Sequence, residues 1–122
     1  MTDTDKKSIL IVDDEEIIRD FLFEVLCDDY NITMAEDGDI AIEKIKCDSF
    51  DLVITDMTMP RVSGEEVVKF IQESAPESKV IIISGFASLY SFSQSVNSGA
   101  SAFLSKPFSI QELLQAIEAA GV

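Results

Sequence analysis

The strongest constraint in this sequence is an alternation: five short apolar runs separated by segments with helical periodicity. The runs are Ile9 to Val12, Tyr30 to Ala35, Leu52 to Thr55, Val80 to Ile83 and Ala102 to Leu104. Four are nearly continuous and rich in β-branched or aromatic residues, as in strands covered on both faces; Tyr30 to Ala35 is mixed and reads as a sheet edge. Between them, apolar residues recur at helical spacing. Ile17, Ile18, Phe21, Leu22, Val25 and Leu26 form one stripe, Ile40, Ala41 and Ile45 a second, and Val67, Val68 and Ile71 a third. Ile110, Leu113, Leu114 and Ile117 form the last. The remaining helical segment, from about Leu89 to Ser98, is weak, because Ser91, Ser93, Ser95 and Ser98 compete for backbone hydrogen bonds. Gly38 and Gly64 stand where turns enter helices, and Gly99 where one ends. Strands and helices alternating over short loops pair in parallel through right-handed crossovers. The expected fold is α/β, a doubly wound parallel sheet with helices on both faces.

The chain has 122 residues, close to the usual size of one domain, so a single unit spanning residues 1–122 is expected. A hydrophobic share of 47% is enough for a core that needs no disulfide. Cys27 and Cys47 lie within apolar-periodic stretches, lack metal-ligand spacing, and read as small core or helix-face residues in a reducing compartment. The polar start MTDTDKK precedes only a short apolar run, which is neither a signal peptide nor a membrane span. A cytoplasmic protein without membrane contact is expected.

The net charge of −14 is uneven: residues 1–59 carry 17 acidic and 5 basic side chains, residues 60–122 only 6 and 4. Such a surface repels nucleic acid, so direct DNA binding is not expected. Crowded acids instead invite a divalent cation, and the near-neutral second half is the better surface for partners.

In doubly wound sheets the functional crevice lies at the carboxyl ends of the strands. Asp13, Asp14, Glu15 and Glu16 follow the first run, Asp56 the third, Ser84 and Gly85 the fourth, and Ser105, Lys106 and Pro107 the fifth. Three carboxylates, a hydroxyl and an ammonium therefore converge on one edge. Carboxylates at that range repel, which should raise at least one pKa and favour a bound Mg²⁺ (or Mn²⁺). Asp56, standing alone, has a carboxylate free to act as nucleophile and form an acyl phosphate. Lys106 offers a point charge and Ser84 a donor to phosphoryl oxygens. Glu15 and Glu16 read as a solvated helix start that deepens the negative potential. Met57 and Met59 read as packing residues.

The segments ILIVDDEE, DLVITDMTMPRVSGEE, VIIISG and GASAFLSKPF, in this order and at these separations, resemble the receiver domain of two-component response regulators. The likeness runs over essentially the whole chain. It implies the flavodoxin-like, CheY-like (βα)5 fold, with strand order 2-1-3-4-5. It implies that Asp13 and Asp14 hold Mg²⁺, the second directly, and that Asp56 is the phosphoacceptor and shares the metal. Thr58 would give the metal its backbone carbonyl, Lys106 and Ser84 would bind the phosphoryl group, and Ser84 and Phe103 would act as switch residues. Ser84 stands where Thr is commoner and Phe103 where Tyr or His is; both keep the required chemistry. A cis Lys106–Pro107 peptide is implied as well. Thr58 and Phe86 would flank the phosphoryl group and tune dephosphorylation, a bulky Phe86 shielding it from water. The phosphodonor would be a sensor histidine kinase or a phosphotransfer protein. The output would pass through the face of the fourth helix, fifth strand and fifth helix to another domain or protein. Phosphorylation-dependent homodimerisation through that face is compatible with the residue types, which do not decide it. Such a domain catalyses its own phosphorylation and dephosphorylation and is not otherwise an enzyme.

Three rival classes make different demands. A flavodoxin-like electron carrier needs a hydroxyl- and glycine-rich loop where this chain has DDEE. An aspartyl-phosphate phosphohydrolase usually needs a second Asp where Thr58 stands. A phosphorylation-independent interaction module predicts a broken site, whereas every needed group is present.

Overall fold

A computed structural model describes residues 6–57, 62–85 and 100–122. Five parallel strands form one sheet: β1 (Lys7–Val12), β2 (Tyr30–Ala35), β3 (Leu52–Asp56), β4 (Lys79–Ser84) and β5 (Ala102–Ser105), in the order β2-β1-β3-β4-β5. Each expected run is a strand, and Tyr30–Ala35 is an edge, as its mixed pattern implied. The helices are α1 (Glu16–Leu26), α2 (Gly38–Cys47), α3 (Gly64–Ser74) and a C-terminal helix, Ile110–Ala119. The segment around Leu89 to Ser98, with its serines and Gly99, lies outside the described residues, as do Thr58, Met59 and Phe86.

Successive strand side chains point to opposite faces, and the core divides accordingly. Ile9, Ile11, Leu52, Ile54, Ile81 and Ile83 pack against α1 and the C-terminal helix, with Leu22, Leu26, Leu113 and Ile117. Leu10, Val12, Val53, Val80 and Ile82 pack on the other face with Ala41, Val67, Val68 and Ile71 of α2 and α3. Burying each such Val, Leu or Ile contributes roughly 1.5–3 kcal/mol, so two-sided coverage is what makes continuous apolar runs stable as strands.

Helix starts are fixed by local chemistry. The Asp37 side chain accepts from Ile40 N at 3.0 Å and caps α2, while Ser63 accepts from Glu66 N at 3.3 Å and caps α3. Ser109 and Glu112 form a reciprocal capping box, both bonds 3.1 Å, at the C-terminal helix. At the amino end of the sheet, Asp51 Oδ2 accepts from Ser8 N at 2.8 Å and Asp51 O accepts from Lys79 N at 3.0 Å. These bonds tie the entries of β1, β3 and β4 together and fix their register, which aligns the opposite ends where the acids sit.

Packing corrects one expectation and decides between the two readings of the cysteines. Ile17, counted in the apolar stripe of α1, is 80% exposed: it stands on the first turn of the helix and lines a groove beside the acids rather than the core. Cys47 is exposed and Cys27 half-buried, so both are helix-face rather than core residues.

Candidate functional site

The sheet register delivers the site. β1 ends at Val12, paired with Thr55 of β3, so Asp13 and Asp56 are the next residues out on adjacent strands. Asp56 pairs with Ile83, and Ser84 pairs with Ser105, which places Lys106 one step further. Backbone bonds hold these ends: Asp13 N donates to Ala35 O at 3.2 Å, Met57 N to Ile83 O at 2.8 Å, and Lys106 N to Ser84 O at 2.8 Å. Asp13, Asp56 and Ser84 are all buried, unusual for two carboxylates and a hydroxyl at strand ends.

One carboxylate oxygen from each of Asp13, Asp14, Glu15 and Asp56 lies within 4.8 Å of all the others. The Lys106 ammonium reaches into this cluster, 2.8 Å from Glu15 Oε1, 3.1 Å from Asp13 Oδ2 and 3.7 Å from Asp56 Oδ1. Asp13 Oδ1 accepts from Glu15 N at 2.9 Å. Asp13 Oδ2 is buried and lacks an aligned hydrogen-bond donor; the ammonium beside it supplies charge rather than a well-directed bond. An all-oxygen donor set with one orphaned, fully buried carboxylate oxygen suits a hard divalent cation such as Mg²⁺. Arg19 of α1 donates from Nη1 to Asp13 O at 2.7 Å, tying the loop that carries the acidic pair to the first helix.

The electrostatics follow from burial and crowding. Burial pushes the Asp13 carboxyl above its ordinary value, against the opposing pull of the Glu15 amide and of Lys106. Burial alone would lower the Lys106 pKa, but the hydrogen bond to Glu15, the close contact with the Asp13 carboxylate and the charges of Asp13 and Asp56 outweigh it. Lys106 therefore stays charged throughout the physiological range.

Two glycines shape the entry to this site. A Cβ on Gly64 would fall on the carbonyl oxygen of Asp56 and lie 2.9 Å from Met57 Cα, while Gly64 N donates to Met57 O at 3.0 Å. A Cβ on Gly38 would lie 2.6 Å from Val62 Cβ. The helices α2 and α3 thus close directly on the chain that follows β3.

Of the residues expected from sequence, Asp13, Asp14, Asp56 and Lys106 come together, and Ser84 ends the neighbouring strand. Phe103 is half-buried against the α2/α3 side of the core. Met57 packs there too, and the Lys106–Pro107 peptide is cis. Thr58 and Phe86 lie outside the described residues. Glu15 is the exposed helix start that was expected, 60% of its side chain accessible, but it is also the nearest carboxylate to Lys106, a contact the sequence did not show. Sequence reasoning also missed Arg19 and the contact of Gly64 with Asp56. The only signal for Glu15 was its place directly after the acidic pair.

Beside the acids, Ile17, Ile18 and Phe21 of α1 face Gly85, Pro107 and Phe108 across a groove of about 490 Å³, with Glu15 and Lys106 at its edge. Phe21 and Phe108 meet edge-to-face, centroids 5.9 Å apart.

Comparison with known proteins shows the family. Residues 9–118 match the family description "Response regulator receiver domain". The chain belongs to the response regulator receiver family. It is 35% identical over 114 residues to the response regulator ArlR of Staphylococcus aureus, covering 91% of this chain and 51% of ArlR. To the transcriptional regulatory protein DltR of Streptococcus agalactiae it is 33% identical over 110 residues, covering 89% of this chain and 49% of DltR. It is also 35% identical to part of histidine kinase P4 of Formosa agariphila, covering 92% of this chain but 8% of the kinase. The chain thus spans about half the length of the two regulators and a small part of the kinase. Among solved structures, chemotaxis protein CheY4 of Vibrio cholerae superposes with a TM-score of 0.87 at 29% identity, covering 94% of this chain and 98% of that one. A CheY-like receiver domain from Methanospirillum hungatei gives 0.87 at 32% identity, covering 93% and 91%. This receiver domain therefore has the CheY-like, flavodoxin-like fold of two-component regulators. No helix among its described residues is long and apolar enough to cross a membrane.

Proposed function

We propose that this receiver domain, a single unit over residues 1–122, accepts a phosphoryl group on Asp56 and relays it as a change of surface. The observation that carries the reading is the buried Asp56 carboxylate, with the Lys106 ammonium 3.7 Å away and three further carboxylates around it. These 122 residues contain no histidine, so the phosphohistidine lies outside them, on a sensor kinase or a phosphotransfer protein. An Asp56 oxygen attacks phosphorus in line. The P–N bond breaks, the imidazole nitrogen keeps the electron pair and takes a proton from solvent, and an acyl phosphate remains on Asp56. Asp13, Asp14, Asp56 and the Thr58 carbonyl would hold Mg²⁺ (Mn²⁺ also suits the set), which when bound neutralises charge on the phosphoryl oxygens. Lys106 and the Ser84 hydroxyl take the oxygens on the other side. The apolar groove of Ile17, Phe21, Pro107 and Phe108 beside the acids supports docking of the donor there.

Ser84 and Phe103 then shift the equilibrium between two conformers, by contacts made only when phosphate is present. The altered face, made by the segment before β5, β5 itself and the C-terminal helix, acts on an output domain, an output protein or a second copy of the chain. Phe86 and Thr58 set how quickly water reaches the acyl phosphate. The acidity of the domain argues against direct contact with nucleic acid, and the reading places it in the cytoplasm without membrane contact.

Intact mass after incubation with acetyl phosphate and Mg²⁺ tests the site. The wild type should gain one phosphoryl group, while Asp56→Asn, or the wild type with chelator, should gain none. An unmodified wild type that also fails with a panel of kinases would make the fold a passive docking module.

A further inference from the structure

The groups around Lys106 form a sequence of distances that the proposed reaction does not explain. Its ammonium is closest to Glu15, at 2.8 Å, further from Asp13, at 3.1 Å, and furthest from Asp56, at 3.7 Å. Its side chain is 14% exposed, so it is enclosed by these groups, and Glu15 approaches from the solvent side. The lysine that must bind a phosphoryl group on Asp56 is thus held towards the mouth of the site by the one carboxylate of the cluster that the proposed function does not assign to the cation.

We propose that Glu15 is a positioning residue. It parks the Lys106 ammonium at the mouth and competes for it with the phosphoryl group on Asp56. This inference rests on the reading of Asp56 as phosphoacceptor. Lys106 is 2.8 Å from Glu15 and 3.7 Å from Asp56, so drawing it towards Asp56 works against the ion pair with Glu15, which subtracts from the stabilisation that Lys106 gives the acyl phosphate. A contact with one exposed partner is screened by water and salt. Its effect is therefore a tuning of rate and lifetime, not an on–off gate.

Two measurements on the full chain test this. The first is the side-chain ammonium resonance of Lys106 in metal-free protein, assigned by its loss in Lys106→Arg. Glu15→Gln should shift it and hasten its exchange with water; an unchanged resonance would overturn the parking contact. The second is phosphorylation by acetyl phosphate at saturating Mg²⁺, followed by intact mass. Glu15→Gln should gain the phosphoryl group about two- to fivefold faster, the range of a screened ion pair, and the gap should close at high salt. Glu15→Asp keeps the charge but loses the reach, and should behave like Glu15→Gln. A Glu15→Gln protein that is no faster removes the role given to Glu15, as does a Glu15→Asp protein with the wild-type rate. If the wild type is phosphorylated neither by acetyl phosphate nor by a panel of kinases, the reading of Asp56 falls and this role falls with it, whereas the resonance still reports whether Glu15 holds Lys106.

Discussion

Asp13 shows most directly what burial does to a charged group. Its carboxylate is fully buried, one oxygen is satisfied by the Glu15 amide, and the other lies 3.1 Å from the Lys106 ammonium. Burial raises its pKa, so the folded state holds a proton more tightly than the unfolded chain, whose value is near 3.8. The sign follows from linkage. The contribution to stability is complete below the unfolded value and is lost as pH rises through the raised folded value. Above the raised value the metal-free protein carries an ionised, buried Asp13 that costs stability, the condition a divalent cation relieves. Urea unfolding in chelator, compared between wild type and Asp13→Asn from pH 7 down towards 4, should show wild type gaining on the variant as pH falls. A pH-independent difference would mean that the cluster does not strain Asp13.

At the scale of elements, the site is made by where chains end and how closely helices approach. Gly64 opens α3 against the backbone of Asp56 and Met57, where a side chain has no rotation that avoids the clash. Gly64→Ala should cost about 1–3 kcal/mol through overpacking and should weaken Mg²⁺ binding, because the chain after β3 must shift. Urea midpoints and a Mg²⁺ titration would check both; wild-type values in both would show that α3 moves aside without disturbing Asp56. The sequence made the strands legible because two-sided burial leaves continuous apolar runs, and it made Asp13, Asp56 and Lys106 legible because strand ends carry the crevice. It showed Gly64 only as a helix entry, since a close backbone approach leaves no trace in residue periodicity. Glu15 was hidden for a different reason. An exposed acid at a helix start looks the same whether or not a lysine 91 residues away reaches it. Ile17 misled in the opposite direction, because helical spacing marks a face but not which of its residues meet the core.

Across the whole molecule, the charge imbalance and the site are one feature. Most of the net charge of −14 lies in the first half of the chain, and the buried part of it is gathered at the carboxyl edge by parallel strands that all end there. A parallel sheet cannot spread its functional loops over both ends as an antiparallel one can, so the acids carried by β1 and β3 meet whether or not a cation is present. Cation binding to the folded state alone then stabilises the fold by mass action, about 2.7 kcal/mol when the ion is a hundredfold above its dissociation constant. Any salt would also relieve part of the general repulsion of so acidic a chain. The two effects separate at constant ionic strength. Mg²⁺ should raise the thermal midpoint by several degrees over NaCl of equal ionic strength, and Asp56→Asn should lose most of that excess while keeping the response to NaCl. Equal stabilisation by the two salts would assign the whole effect to screening and leave the four carboxylates without a resident ion.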